Sequence, residues 1–142
     1  MKYQQLASCL VLSILFGSVL HSANPDNTDL DGSWKLISTQ AEGKSEDSID
    51  DDEVLKIQGG DFVITRKSVQ VGAGNIVLNR SKKPAWINIK TDSIERFGVF
   101  RIEADYLTIS IIKGPNDDKS RPADFDTKKD DMRVKYVYKK KS

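Results

Sequence analysis

From Gly32 onward the chain repeats one kind of patterning: short runs in which apolar and polar residues alternate, separated by glycine, proline, asparagine or aspartate. Alternation at period two puts the apolar side chains on one face of an extended strand; a helix needs a period of about 3.6, which no window sustains. Trp34, Leu36 and Ser38 alternate with Lys35, Ile37 and Thr39, and Leu55 and Ile57 with Val54 and Lys56. Gly59, Gly60 and Asp61 then give a turn signal ahead of Phe62, Val63, Ile64 and Thr65, the arrangement of a hairpin. Further strands are predicted over 74–79, with Ile76 and Leu78 on one face, and over 85–91, with Ile87 and Ile89 opposite Trp86, Asn88 and Lys90. A pair at 97–103 and 106–112 is joined by Ala104 and Asp105, and in its second member Leu107, Ile109 and Ile111 face away from Tyr106, Thr108 and Ser110. The last strand covers 132–138, where Val134, Tyr136 and Tyr138 share a face.

Roughly eight antiparallel strands, each apolar on one face, leave exposed sheet edges unless the sheet closes on itself. The pattern therefore predicts an all-β fold, a roughly eight-stranded antiparallel barrel, with a two-sheet β-sandwich as the alternative. A barrel of that size is just wide enough to be filled by side chains or to hold one small ligand. Pro25 and Pro84 precede strands, while Pro115 and Pro122 fall in the long connection 113–131, where a missing N–H breaks no ladder.

The first 23 residues stand apart. Lys2 is their one charge, an apolar run extends from Leu6 to Leu20, and Ser22 and Ala23 are small, the layout of a secretory signal peptide. The run is too short for a membrane anchor and no cluster of Lys or Arg follows it, so cleavage after Ala23 and no stable membrane insertion afterwards are expected. Leu6-Ala7-Ser8-Cys9 resembles a lipobox but opens the apolar run, whereas a lipobox follows it. The expected organisation is a signal peptide over 1–23 and a single domain over 24–142, periplasmic or secreted.

Loss of 1–23 removes the chain's one Cys and one His together. The remainder has no thiolate, no disulfide, and neither the commonest general base nor the commonest transition-metal ligand. Its 21 acidic side chains are matched by as many basic ones once Lys2 is gone, which gives no footprint for nucleic acid. Charge is polarised along the chain, acid-rich from Glu42 to Glu53 and basic at Lys139, Lys140 and Lys141, runs expected in solvated loops and tails.

Asp31-Gly32-Ser33-Trp34-Lys35-Leu36 resembles the Gly-x-Trp opening strand of lipocalin-like barrels. The order of that segment with Lys82-Lys83-Pro84-Ala85-Trp86-Ile87, Gly98-Val99-Phe100-Arg101-Ile102, Asp105-Tyr106-Leu107-Thr108-Ile109 and Arg121-Pro122-Ala123-Asp124-Phe125 is similar to an uncharacterised lipocalin-like domain family abundant in planctomycete bacteria. The similarity spans about residues 29–139, departing where Phe100 replaces a frequent Tyr and Asn88 a common Asp. It implies a barrel and export, but no assigned activity. It also implies structural roles for Gly32, for Trp34 as a plug across the closed end, and for a cation over that ring, Lys139 or its neighbour Lys140.

Among candidate sites, Arg121 and Phe125 are the ligand-binding choice, because a loop Arg beside the rigid Pro122 presents a planar fork suited to anionic groups. The competing account is that Phe125 anchors the loop and Arg121 pairs with a nearby carboxylate. Asn27-x-Asp29-x-Asp31-Gly32 mimics half of a calcium loop, yet Ser38 stands where the bidentate Glu belongs, so no metal site is expected. No catalytic residues and no cofactor are assigned. The expectation is a non-enzymatic exported domain that binds a small amphiphilic molecule at the barrel end opposite Trp34, bordered by 113–131. The alternative is a filled barrel that serves as a protein-interaction or envelope-structural domain.

Overall fold

In the computed structural model, which describes residues 29–47, 52–114 and 117–142, the domain is all-β. The predicted signal peptide, Pro25, Asn27, the acidic residues 50 and 51, Pro115 and Asn116 lie outside the described residues. Among the described residues there are nine strands: β1 (Gly32–Ala41), β2 (Lys44–Asp47), β3 (Glu53–Gln58), β4 (Asp61–Arg66), β5 (Val69–Asn79), β6 (Ala85–Lys90), β7 (Glu95–Glu103), β8 (Tyr106–Ile112) and β9 (Arg133–Lys140). The one helical turn among them is 3-10, Asp118–Ser120.

From β3 each strand pairs antiparallel with the next, and β9 returns to β1, with Trp34 opposite Lys140 and Ala41 opposite Val134. One continuous sheet thus closes into an eight-stranded, lipocalin-like barrel, and the two-sheet sandwich does not hold. The pairing of β1 with β9 shifts between Leu36 and Ser38, leaving Ile37 as a bulge. The other edge of β1 is divided: Gly32 to Lys35 pair with β3, and Ser38 to Ala41 with β2. β2 is therefore a flap outside the closed ring. Periodicity carries no sign of it, because all four of its residues are exposed and none is apolar.

The period-two pattern faces inward as expected. Leu55 lies opposite Trp34 and Ile64, Ile87 opposite Leu78 and Gly98, and Tyr138 opposite Leu36 and Leu107. These positions feed a core in which Leu30, Trp34, Ile57, Ile87 and Leu107 are essentially inaccessible. Gly32 and Gly98 are among the glycines dictated by geometry. Gly32 has φ +132°, a conformation L side chains rarely adopt, and a Cβ at Gly98 would sit 2.5 Å from the Ser110 carbonyl oxygen and 2.7 Å from Ile111 Cγ2. At Gly98 the β7 backbone comes close to β8 because no side chain intervenes.

Candidate functional site

The barrel has two unlike ends. At the end carrying the β3–β4 and β7–β8 turns, Trp34 is 1% exposed and its indole N–H donates to the Leu30 carbonyl at 2.8 Å. Asp31 accepts the Gly59 N–H at 2.9 Å, tying the entry to β1 onto the β3–β4 turn. Lys140 Nζ lies 5.1 Å from the centre of the Trp34 ring. Lys139, the alternative for that cation, is on the other face of β9, 5.8 Å from the Tyr106 ring. The register corrects the choice: Tyr136, Tyr138 and Lys140 share the inward parity, whereas Lys139 points out.

At the opposite end the inward side chains stop short of one another and leave a cavity of about 290 Å³. Its wall is largely apolar, with Leu55, Phe62, Ile64, Ile76, Ile89 and Ile109 among the lining residues. Polar groups also line it: Glu53, Arg66, Arg96, Thr91, Tyr136 and Tyr138. Glu53, 4% exposed, accepts from Arg66 Nε at 2.7 Å through one oxygen and from the Tyr138 hydroxyl at 3.1 Å through the other. A buried carboxylate is tolerable because both oxygens are engaged, one by a charge. The Tyr136 and Tyr138 rings lie 6.4 Å apart and near-parallel. Burial, then the Glu53 charge, holds the Tyr138 phenol well above the usual tyrosine range. Burial and Glu53 also raise Tyr136, against the opposing pull of Arg66 and Arg96.

Sequence patterning did not single out this cluster. Glu53 closes an acidic run that reads as a solvated loop, yet it shares its parity with Leu55 and Ile57. Arg66 has the parity of Phe62 and Ile64, and Arg96 that of Gly98 and Phe100. Carrying the alternation one residue pair past each apolar run was the available signal.

Arg121 and Phe125 do not reach the cavity. The Arg121 side chain is 5% exposed and lies on the outer wall of β6 and β7, its guanidinium carbon 4.3 Å from the Trp86 ring centre and 5.2 Å from that of Phe97. Nη1 donates to the carbonyls of Ile87 at 3.1 Å and Gly98 at 2.7 Å, Nη2 to Asn88 Oδ1 at 2.8 Å and Asp118 at 2.6 Å, and Nε to Asp118 at 3.1 Å. A guanidinium carries five N–H donors, and all five are used. The Phe125 ring sits against Arg101, 4.7 Å from its guanidinium carbon. The fork is a pin that fastens 113–131 over the wall, where the outward-facing Val99, Thr108 and Ser110 are buried. The connection meets the mouth through Arg96, whose Nη1 donates to the carbonyls of Lys113 and Gly114, both at 3.0 Å. No described residue of 113–131 lines the cavity.

The described members of the calcium-like run are turned to other tasks. Asp29 pairs with Arg80, and Asp31 caps the β3–β4 turn. Among the described residues no group of three or more His, Cys, Asp or Glu side chains is placed to hold a metal ion. Comparison with known proteins found no matching family model, curated protein or solved structure.

Proposed function

We propose that this chain is an exported, non-enzymatic binding domain that holds one small, partly apolar molecule in the open-end cavity of its barrel. The observation that carries the reading is the cavity itself, an apolar chamber with a compact polar cluster, the usual make-up of a small-molecule site. Its size lies near the lower end of the usual range of roughly 300–1,000 Å³ for such sites, which suits a short-chain or single-ring ligand. Glu53 is the one carboxylate among the described lining residues, and its engagement by Arg66 and Tyr138 suits a fixed structural charge better than an acid or base in turnover. Export is supported by the layout of residues 1–23.

The test is native mass spectrometry of protein purified from its own host, paired with fluorescence titration of an environment-sensitive amphiphile against the parent and an Ile109→Trp variant that fills the cavity. A co-purifying small molecule, and binding abolished by Ile109→Trp, are expected. Binding that survives the filled cavity would move the site elsewhere on the molecule.

A further inference from the structure

We infer that the molecule held in the cavity is uncharged, with a single hydrogen-bonding oxygen set against the Tyr136 hydroxyl and an apolar body against Ile76, Ile89 and Ile109. The inference rests on the binding-domain reading and names the ligand class for the same cavity.

Every polar side chain on the described wall but one already has a partner. Glu53 accepts from Arg66 Nε through one oxygen and from the Tyr138 hydroxyl through the other, which also commits the Tyr138 proton. Arg96 spends Nη1 on the carbonyls of Lys113 and Gly114, and both guanidiniums have further interactions beyond these. The Thr91 hydroxyl donates to the Ile94 carbonyl and accepts from the Ile94 N–H, both at 3.2 Å. The exception is Tyr136: it lines the cavity, is half-buried, and its hydroxyl makes no hydrogen bond to any described residue. A ligand that covers this phenol strips it of water, and the exchange is favourable only where the ligand supplies a partner in return.

The same inventory excludes a charged head. An anion would find both guanidiniums already engaged, and an ammonium would find a carboxylate with both oxygens already taken. Either ion would give up its water in a largely apolar chamber and gain no charged partner, which costs far more than burying a neutral oxygen. A neutral carbonyl or hydroxyl oxygen needs one donor, and the Tyr136 hydroxyl is that donor. Ile76, Ile89, Ile109 and Phe62 supply the apolar surface for the rest of the molecule.

The test compares three ligands of equal carbon count, octan-2-one, octanoate and octylammonium, by titration calorimetry at neutral pH on the whole protein and on Tyr136→Phe. Octan-2-one is expected to bind at least about tenfold more tightly than either ion. Tyr136→Phe is expected to weaken it about fivefold, the worth of one neutral hydrogen bond. Octanoate or octylammonium binding as tightly as the ketone, or a ketone indifferent to Tyr136→Phe, overturns the neutral head while leaving the cavity reading intact. Binding of none of the three overturns both. The comparison of the three ligands on the parent protein stands without any variant.

Discussion

Around Trp34, the polar groups serve to shut the barrel: the indole N–H is spent on Leu30, Asp31 on the neighbouring turn, and Lys140 on the ring face. Around Glu53, an equally compact set of polar and aromatic groups borders empty space instead. Both ends are built on the same eight strands and the same alternation, so the difference lies in side-chain volume at the inward positions. The plugged end carries Trp34 and Phe100, whereas the open end carries branched aliphatic residues and rings that lie against the wall. A barrel of this width can be filled or hollow; this one is filled at one end and hollow at the other, so the tightest packing and the cavity lie in different places.

The strongest way to break that division is Trp34→Ala, which should cost about 3–5 kcal/mol, the range for emptying a buried large aromatic site. Denaturant melts check it, and a smaller loss than that of Ile64→Ala at the open end would reverse the comparison. Arg121→Ala should cost about 2–4 kcal/mol, since it strips a buried charge from two backbone carbonyls and from Asn88. Its effect on amphiphile binding, read by the same fluorescence titration, should be nil because the pin is on the outer wall.

Ile64→Ala should cost about 2 kcal/mol, the low end for its type, because its side chain already borders a void and loses fewer contacts. Tyr138→Phe should cost about 1–2 kcal/mol by leaving the buried Glu53 with one partner fewer. It should also change the alkaline limb of stability. The folded phenol is raised above the ordinary 10.0, so the associated stability is fully present below that pH and is lost as pH climbs toward the folded value. Melts taken at rising pH, with near-UV absorbance to track ionisation, should show a shallower loss in Tyr138→Phe than in the parent. The smallest effects are expected of the two cations on rings, about 0.5–1 kcal/mol for Lys140→Ala and less for Lys139→Ala.

Legibility in the sequence divides along similar lines. The eight ring strands, the inward parity of Leu55, Ile87 and Leu107, and the burial of Trp34 are all read from alternation, because burial on one face leaves a period in the chain. β2 was hidden because a strand exposed on both faces has no period to read. The start of β5 at Val69 was hidden likewise: Val69, Gln70 and Val71 are all exposed, and Gly72 and Gly74 interrupt the strand just beyond them. Glu53 was misread for a different reason. Its chemistry matched its acidic neighbours, while its position in the alternation matched Leu55, and position decided. Arg121 lay in a loop without regular structure, so nothing in its spacing distinguished a fork open to solvent from one folded against β6 and β7.

The pairing of β1 with β9 joins opposite ends of the described chain. Until β9 is available, β1 and β8 both present unpaired edges, and the apolar interior stays open to water. Such a topology has high contact order: closure must wait while nearly the whole domain is brought together, and rates of the millisecond-to-second class are typical of all-β domains of this kind. The first strand of the barrel, carrying Trp34, thus takes its partner from the far end of the described sequence. A strand edge without its partner is a template for pairing with another chain, so the docking of β9 removes both edges at once.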